Sequence, residues 1–265
     1  MEHLQIDSRH YQVPSVWNEL TEAQLLAALA VLHGPERPHF RLELLAVLLG
    51  QSVAQLLRDV APVALVQLLD LGNFFFAEQC RLTAQLLPEL RVKGQRWAGP
   101  RASFRNLRFA EFIFADTYFV HYCATGDAPV LDKFLAVLYR PARPDAGPHQ
   151  VDYDGDQREP FNEHRLDYHA QRLRRLPLDV KRAVLTWYRG CRAELADEFP
   201  EVFAPGNQEE AAKSDWSRVL RKMSGGAFGA MDQTAKQLTR TILAEIEDNI
   251  QDSERARQQA RRSHS

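Results

Sequence analysis

The stretch FAEFIFADTYFVHYCATGDAPVLDKFLAVLYRP, Phe109 to Pro141, decides the fold class. Its apolar residues recur at helical spacing, which predicts a long helix from about Leu107 to Ala124 and a second from Pro129 to Tyr139. Together they form the most hydrophobic part of the chain. Phe109, Phe112, Ile113, Phe119 and Val120 make one stripe of the first helix, and Asp116 sits within it. A carboxylate buried in such a stripe must be paired or protonated. Catalytic carboxylates are made this way, but no second acid or histidine converges in the same helix. The expectation is a buried structural ion pair, with Arg140 or an arginine of the preceding segment as its mate.

Outward from this pair the period stays helical. SVWNELTEAQLLAALAVLHGP has a cap at Thr21, a stripe of Leu25, Leu26, Leu29 and Leu32, and a stop at Gly34-Pro35. Short helices divided at Gly50 and Pro62 follow, and FFFAEQCRLTAQLLPEL is read as another helix. Between Leu90 and Leu107 the period is lost, and a small hairpin is expected near residues 91–99. A long Pro-rich acidic loop, a surface excursion or a hinge, separates this part from EPFNEHRLDYHAQRLRRL and LDVKRAVLTWYRGCRAELADEF, both helical in pattern. The last segment carries Trp216, Val219, Leu220 and Met223, then Gly225, Gly226 and Gly229, then Leu238, Ile242, Ile246 and Ile250 in steps of four. Beyond Gln251 the chain is only polar and charged and is expected to fray. The expected fold is all-α, an irregular multi-helix bundle. It has an N-terminal helical core over residues 1–140, the loop at 141–160, a C-terminal helical region at 161–250 and a polar tail at 251–265.

With 265 residues, 45% of them apolar and 26% charged, the chain reads as globular, with room for one large domain or two small ones. A net charge of -2 gives no global reason to expect nucleic acid or an anionic membrane as partner. Cys80, Cys123 and Cys191 are odd in number and far apart, as expected of reduced thiols in a cytoplasmic protein. No apolar signal core opens the chain and no stretch approaches eighteen apolar residues without charge, so neither export nor a membrane span is expected.

Three constellations invite a functional reading. DYDGDQREPFNE, residues 152–163, places Asp152, Asp154, Asp156 and Glu163 at the charged positions of a calcium loop. The sixth place is Gln157, however, and the nearest glycine, Gly155, stands at the fourth. The preceding prolines break any entering helix, so a solvated acidic loop is expected and no metal. In LLAVLLGQSVAQLL, Ala46, Gly50 and Leu56 fall where a helix-turn-helix places its small residue, turn glycine and core aliphatic. The second helix, starting near Ser52, offers a groove only Gln51, Gln55 and Arg58. The basic crossing sets Arg91, Lys93, Arg96, Arg101, Arg105 and Arg108 around Trp97 and Phe104, a mixture that suits nucleic-acid or protein contact. Enzyme signatures are lacking. His164 and His169 are five apart and cannot share a helix face for a metal, and the chain has no phosphate loop, serine elbow or cysteine pair. No catalytic residue and no cofactor is therefore expected.

The run from Phe109 to Pro141, the YDGD loop, AVLTWYRGCRAEL and the C-terminal W..VLRKM pattern together resemble helical proteins encoded among prophage-like tail genes of Bacteroidetes-type bacteria. Those proteins are similar to phage tail assembly chaperones, and the likeness extends over about residues 14 to 250. The resemblance implies a non-catalytic cytoplasmic factor that shields a long apolar helical partner, a tape-measure-like tail component. The face expected to meet that partner is Leu238, Ile242, Ile246 and Ile250, on a helix free to swing about the three glycines. The alternative is a helix-turn-helix or basic-patch nucleic-acid-binding protein.

Overall fold

The computed structural model describes residues 1–6, 9–35, 37–144, 149–150, 153, 155–204, 216–224 and 229–263. Its helices in chain order are α1 (Glu22–Leu32), α2 (Phe40–Leu49), α3 (Val53–Asp59), α4 (Pro62–Leu68), α5 (Phe109–Thr125) and α6 (Ala128–Leu138). After these come α7 (Leu166–Leu173), α8 (Leu178–Glu198), α9 (Trp216–Met223), α10 (Met231–Ala235) and α11 (Thr239–Ser263). The strands are β1 (Glu2–Ile6), β2 (Arg9–Val13), β3 (Glu89–Val92), β4 (Gln95–Ala98) and β5 (Arg140–Pro141). The fold is thus mostly helical, and the all-α expectation is corrected by two small antiparallel sheets, β1-β2 and β3-β4-β5. Two compact units emerge, Met1–Leu87 with Leu176–Cys191, and Pro88–Arg175 with Arg192–Ser265. Each draws on two separated stretches of chain, a grouping different from the linear division expected.

In the first unit the local signals act as written. The Thr21 hydroxyl accepts the Gln24 N–H at 3.2 Å while the Gln24 side chain accepts the Thr21 N–H at 3.0 Å, a capping box that fixes the start of α1. Ser52 and Gln55 repeat the device at α3. Between α2 and α3, Gly50 takes φ +63°, the left-handed stop that turns the chain by 86°. Trp17, Leu25, Leu29, Leu44, Leu48 and Leu56 are buried, and Trp17 meets Phe75 edge-on at 5.0 Å.

The segment after Phe76 is not the expected helix. Its backbone groups are claimed from outside: Asn18 Oδ1 accepts from the amides of Thr83 at 2.8 Å and Ala84 at 2.9 Å, and the Thr83 carbonyl accepts from Trp187 Nε1 at 3.2 Å. Leu82 and Leu87 are buried. α8 passes so close that a Cβ on Gly190 would collide with the Leu82 carbonyl, so only glycine fits there.

In the second unit the expected hairpin is β3 and β4, joined through Lys93 and Gly94 at φ +50° and +81°, the pair of positive values that suits a tight hairpin turn. β5 adds to β4, with Trp97 opposite Pro141. α5 and α6 pack as the central pair, with Phe109, Phe112, Phe134, Leu135 and Leu138 fully buried and Phe119 6.1 Å from Phe134. α11 is tied to the start of α5: Thr239 donates its N–H and its hydroxyl to the Leu107 carbonyl, both at 2.9 Å, and the Phe109 N–H reaches Gln237 O at 2.9 Å. Rather than fraying at Gln251, α11 remains helical to Ser263. Good helix formers carry it, with Arg255 paired to Asp252 one turn back. Among the described residues no single helix is long and apolar enough to cross a membrane.

A candidate binding cleft over a buried ion network

The loop at 141–160 is closed at its neck. Arg143 N–H donates to Gln157 O at 2.8 Å, Glu159 N–H donates to Pro141 O at 2.9 Å, and Ala142 pairs with Arg158 between them. This neck brings Arg140 and Arg158 together beneath α5. Arg158 is fully buried and gives Nε to Asp156 Oδ1 at 2.8 Å, and Nη2 to Asp156 Oδ2 at 2.7 Å and Glu111 Oε2 at 2.9 Å. Arg140 gives Nη2 to the other Glu111 oxygen at 2.6 Å, Nη1 to Val137 O at 2.6 Å and Nε to Glu159 O at 2.7 Å.

Two guanidiniums and two carboxylates balance in this network. Burial works against the charge on Arg158, but Glu111 and Asp156 outweigh it and hold the pKa above the usual arginine value. Burial and then the neighbouring Arg158 push Arg140 down to about 10, still charged at neutral pH. Asp156 is held below the usual carboxylate range because the Arg158 bonds overcome its desolvation. The side chain placed in a calcium loop by spacing is therefore an ion-pair partner. Glu163 lies exposed in a 3-10 turn, and Asp152 and Asp154 fall outside the described residues. Among the described residues no group of three or more His, Cys, Asp or Glu is placed to hold a metal ion.

Above the network opens a cleft of about 990 Å³. Its apolar lining comes from Ile113 and Phe114 of α5, Phe161 after the loop, Leu220 of α9, and Met231 and Ala235 of α10, set among charged side chains of the same segments. Phe114 and Phe161 lie 5.3 Å apart, and the Arg140 guanidinium stands 5.8 Å from the Phe161 ring, fixing one wall to the floor. Because the floor's ions are committed to one another, they give the cleft shape and charge balance rather than a nucleophile or a proton donor. Sequence reasoning missed this site. It named Arg140, Asp156 and Glu163 for other roles and passed over Glu111, a carboxylate beside Phe112 on the buried side of α5.

Asp116 is buried, and its Oδ1 accepts from Arg192 Nε at 2.6 Å while Oδ2 accepts from Trp216 Nε1 at 3.0 Å. Its mate is thus Arg192, and the expected Arg140 is taken by Glu111. In the basic crossing Arg91, Lys93, Arg96, Arg101 and Arg105 are exposed, with Arg96 paired to Glu89. Trp97, however, is wholly buried edge-on to His169 at 5.2 Å, and Phe104 is buried too, so this surface has cations without the aromatic faces that base stacking needs.

The C-terminal stripe is likewise divided. Ile242 is fully buried, Ile246 and Ile250 are half-buried, and Leu238 is exposed. Glu247, on the same helix, accepts the amides of Glu201 at 3.2 Å and Val202 at 3.0 Å. Thr239 is bound to Leu107, which ties the start of α11 to α5; Gly225 and Gly226, about which the helix is expected to swing, lie outside the described residues. At the helix-turn-helix candidate, Ala46 and Leu56 are buried as expected, yet Gln55 is spent on its cap and Leu57, 60% exposed, faces outward. Comparison with protein-family models, with curated proteins and with solved structures found no match to the chain.

Proposed function

We propose that the protein is a non-catalytic binding factor, an assembly chaperone of the phage-tail type, and that it shields an apolar helical segment of a tape-measure-like partner in the cleft of its second unit. The observation that carries this reading is a cleft with an apolar lining over ions committed to each other, a surface for shape and hydrophobic contact rather than for bond-making. Met231 at its mouth is 52% exposed, and a methionine adapts readily to an incoming apolar face. Helix-in-groove recognition needs no more than this. The docking element is the cleft, since the stripe of α11 is largely occupied by the unit's own core.

The test is co-expression of the full chain with a long helical tape-measure-like protein. The parent chain should keep the partner soluble and co-purify with it, whereas Met231→Asp, changed at an exposed position, should fold and fail to do so. Equal protection by the Met231→Asp chain would overturn the reading, as would steeply salt-dependent binding of duplex DNA with no effect on the partner.

A further inference from the structure

The stretch of α11 past Gln251 buries nothing. Every residue from Asp252 to Ser263 is exposed, about 18 Å of helix at 1.5 Å per residue. Its side chains are sorted all the same. At about 100° per residue, Arg255, Arg257, Arg261 and Arg262 fall within about 160° of the circumference, with Gln258 among them, while the opposite side carries Asp252, Ala256, Gln259 and Ala260. Four guanidiniums thus stand against two carboxylates, Asp252 and Glu254, and beyond Glu254 there is no acidic side chain. Asp252 holds Arg255 at 3.2 Å, but the two side chains are 75% and 69% exposed and water screens such a pair. Arg257 and Arg262 have no carboxylate partner among the described residues.

The chemistry of this face selects its occupant. Between Asp252 and Ser263 no apolar side chain is larger than alanine. A helix lying on a membrane needs an apolar face to sink, and a protein interface needs aromatic or aliphatic anchors at its centre. This segment has neither. A polyanion asks only for cations, because each phosphate that an arginine neutralises releases condensed counterions. A helix with its side chains is about 10–12 Å across and the major groove of B-DNA about 12 Å wide, whereas the major groove of an RNA helix is too narrow to admit one. We propose that the exposed stretch of α11 is a contact for duplex DNA, in which Arg255, Arg257, Arg261 and Arg262 pair with phosphates. No residue of α11 lines the cleft, so this contact is a second binding surface, separate from the one that shields the helical partner.

The full chain is titrated against a fluorescein-labelled DNA duplex of about 20 base pairs, by anisotropy at several salt concentrations. Four phosphate contacts should make the logarithm of the binding constant fall with the logarithm of salt at a slope of about −3.6. Arg257→Gln combined with Arg262→Gln should bring the slope to about −1.8 and weaken binding at least about tenfold at low salt. Both positions are exposed and glutamine suits a helix, so circular dichroism should match the parent's. Arg91→Gln with Arg101→Gln, in the basic crossing, should leave affinity and slope as they are, and so should Met231→Asp in the cleft. Parental binding by the α11 variant, or binding lost through the basic crossing or the cleft instead, would overturn the assignment. So would a chain that binds no duplex at low salt. Polyglutamate displacing the duplex as well as unlabelled DNA does would overturn it as well, and would mark the face as one for an acidic protein.

Discussion

Glu111 Oε2 lies 2.9 Å from Arg158 Nη2 while its other oxygen lies 2.6 Å from Arg140 Nη2, and none of the three side chains is more than 2% exposed. One carboxylate therefore joins α5 to both ends of the loop neck.

Removing that carboxylate leaves two buried guanidiniums sharing Asp156. Breaking a buried pair in this way costs about 3–5 kcal/mol, so Glu111→Ala should lower the urea midpoint sharply. Glu111→Gln should lower it less. A midpoint equal to the parent's would show that the network carries no stability.

Asp116→Ala should cost less, about 1–3 kcal/mol. Arg192 is 30% exposed and can rehydrate, whereas the buried Trp216 indole N–H loses its acceptor. Denaturation of the two alanine variants side by side checks the order; Asp116→Ala proving the more damaging would contradict it.

Gly190→Ala forces a methyl group into the Leu82 carbonyl, a backbone group that cannot step aside cheaply, and should destabilise the protein by about 1–3 kcal/mol. Gly126→Ala is the control. There the space is open and the cost is only that of φ +69°, roughly 1 kcal/mol. Equal thermal shifts in the two variants would count against the steric account.

Acid should weaken the fold in two steps. Burial, then Arg165, lowers the pKa of His169 below its ordinary 6.5, so the unfolded chain takes up that proton first. The stability tied to His169 is complete above about pH 6.5 and is lost as pH falls toward the folded value. Asp156, also lowered, contributes above its unfolded value of 3.8 and loses that contribution as pH drops through its folded pKa. Urea midpoints measured across this range should decline less between neutral pH and about pH 5 in His169→Phe than in the parent. An unchanged slope would exclude His169 as the source of the first step.

Truncation after Gly229 should unfold the second unit, because it removes the fully buried Ile242 and Leu243 and the Thr239 bonds to Leu107. A truncated chain with parental near-ultraviolet circular dichroism would refute this.

What could be read from sequence was local. The Thr21 cap, the Gly50 break and the stripe that buries Asp116 each depend on neighbours within a turn or two, and the structure has them all. Residues 77–88 look helical by composition, but their conformation is set by Asn18 and Trp187, neither of which any window around them contains. The mate of Asp116 lies 76 positions away. Periodicity likewise announces an apolar face on α11 without naming what covers it, and Ile242 proved to be core. The cleft escaped notice because its walls come from α5, the end of the loop, α9 and α10, brought together only by folding.

The close approach of Gly190 to Leu82 bears on the order of events at the ribosome. Asn18 can take hold of the Thr83 turn as soon as that turn emerges, but Trp187 and Gly190 follow roughly a hundred residues later, about 5–20 s of synthesis at ~5–20 residues per second. Through that interval the nascent N-terminal portion holds Leu82 without the helix that packs on it, so the first unit cannot close until α8 has been made.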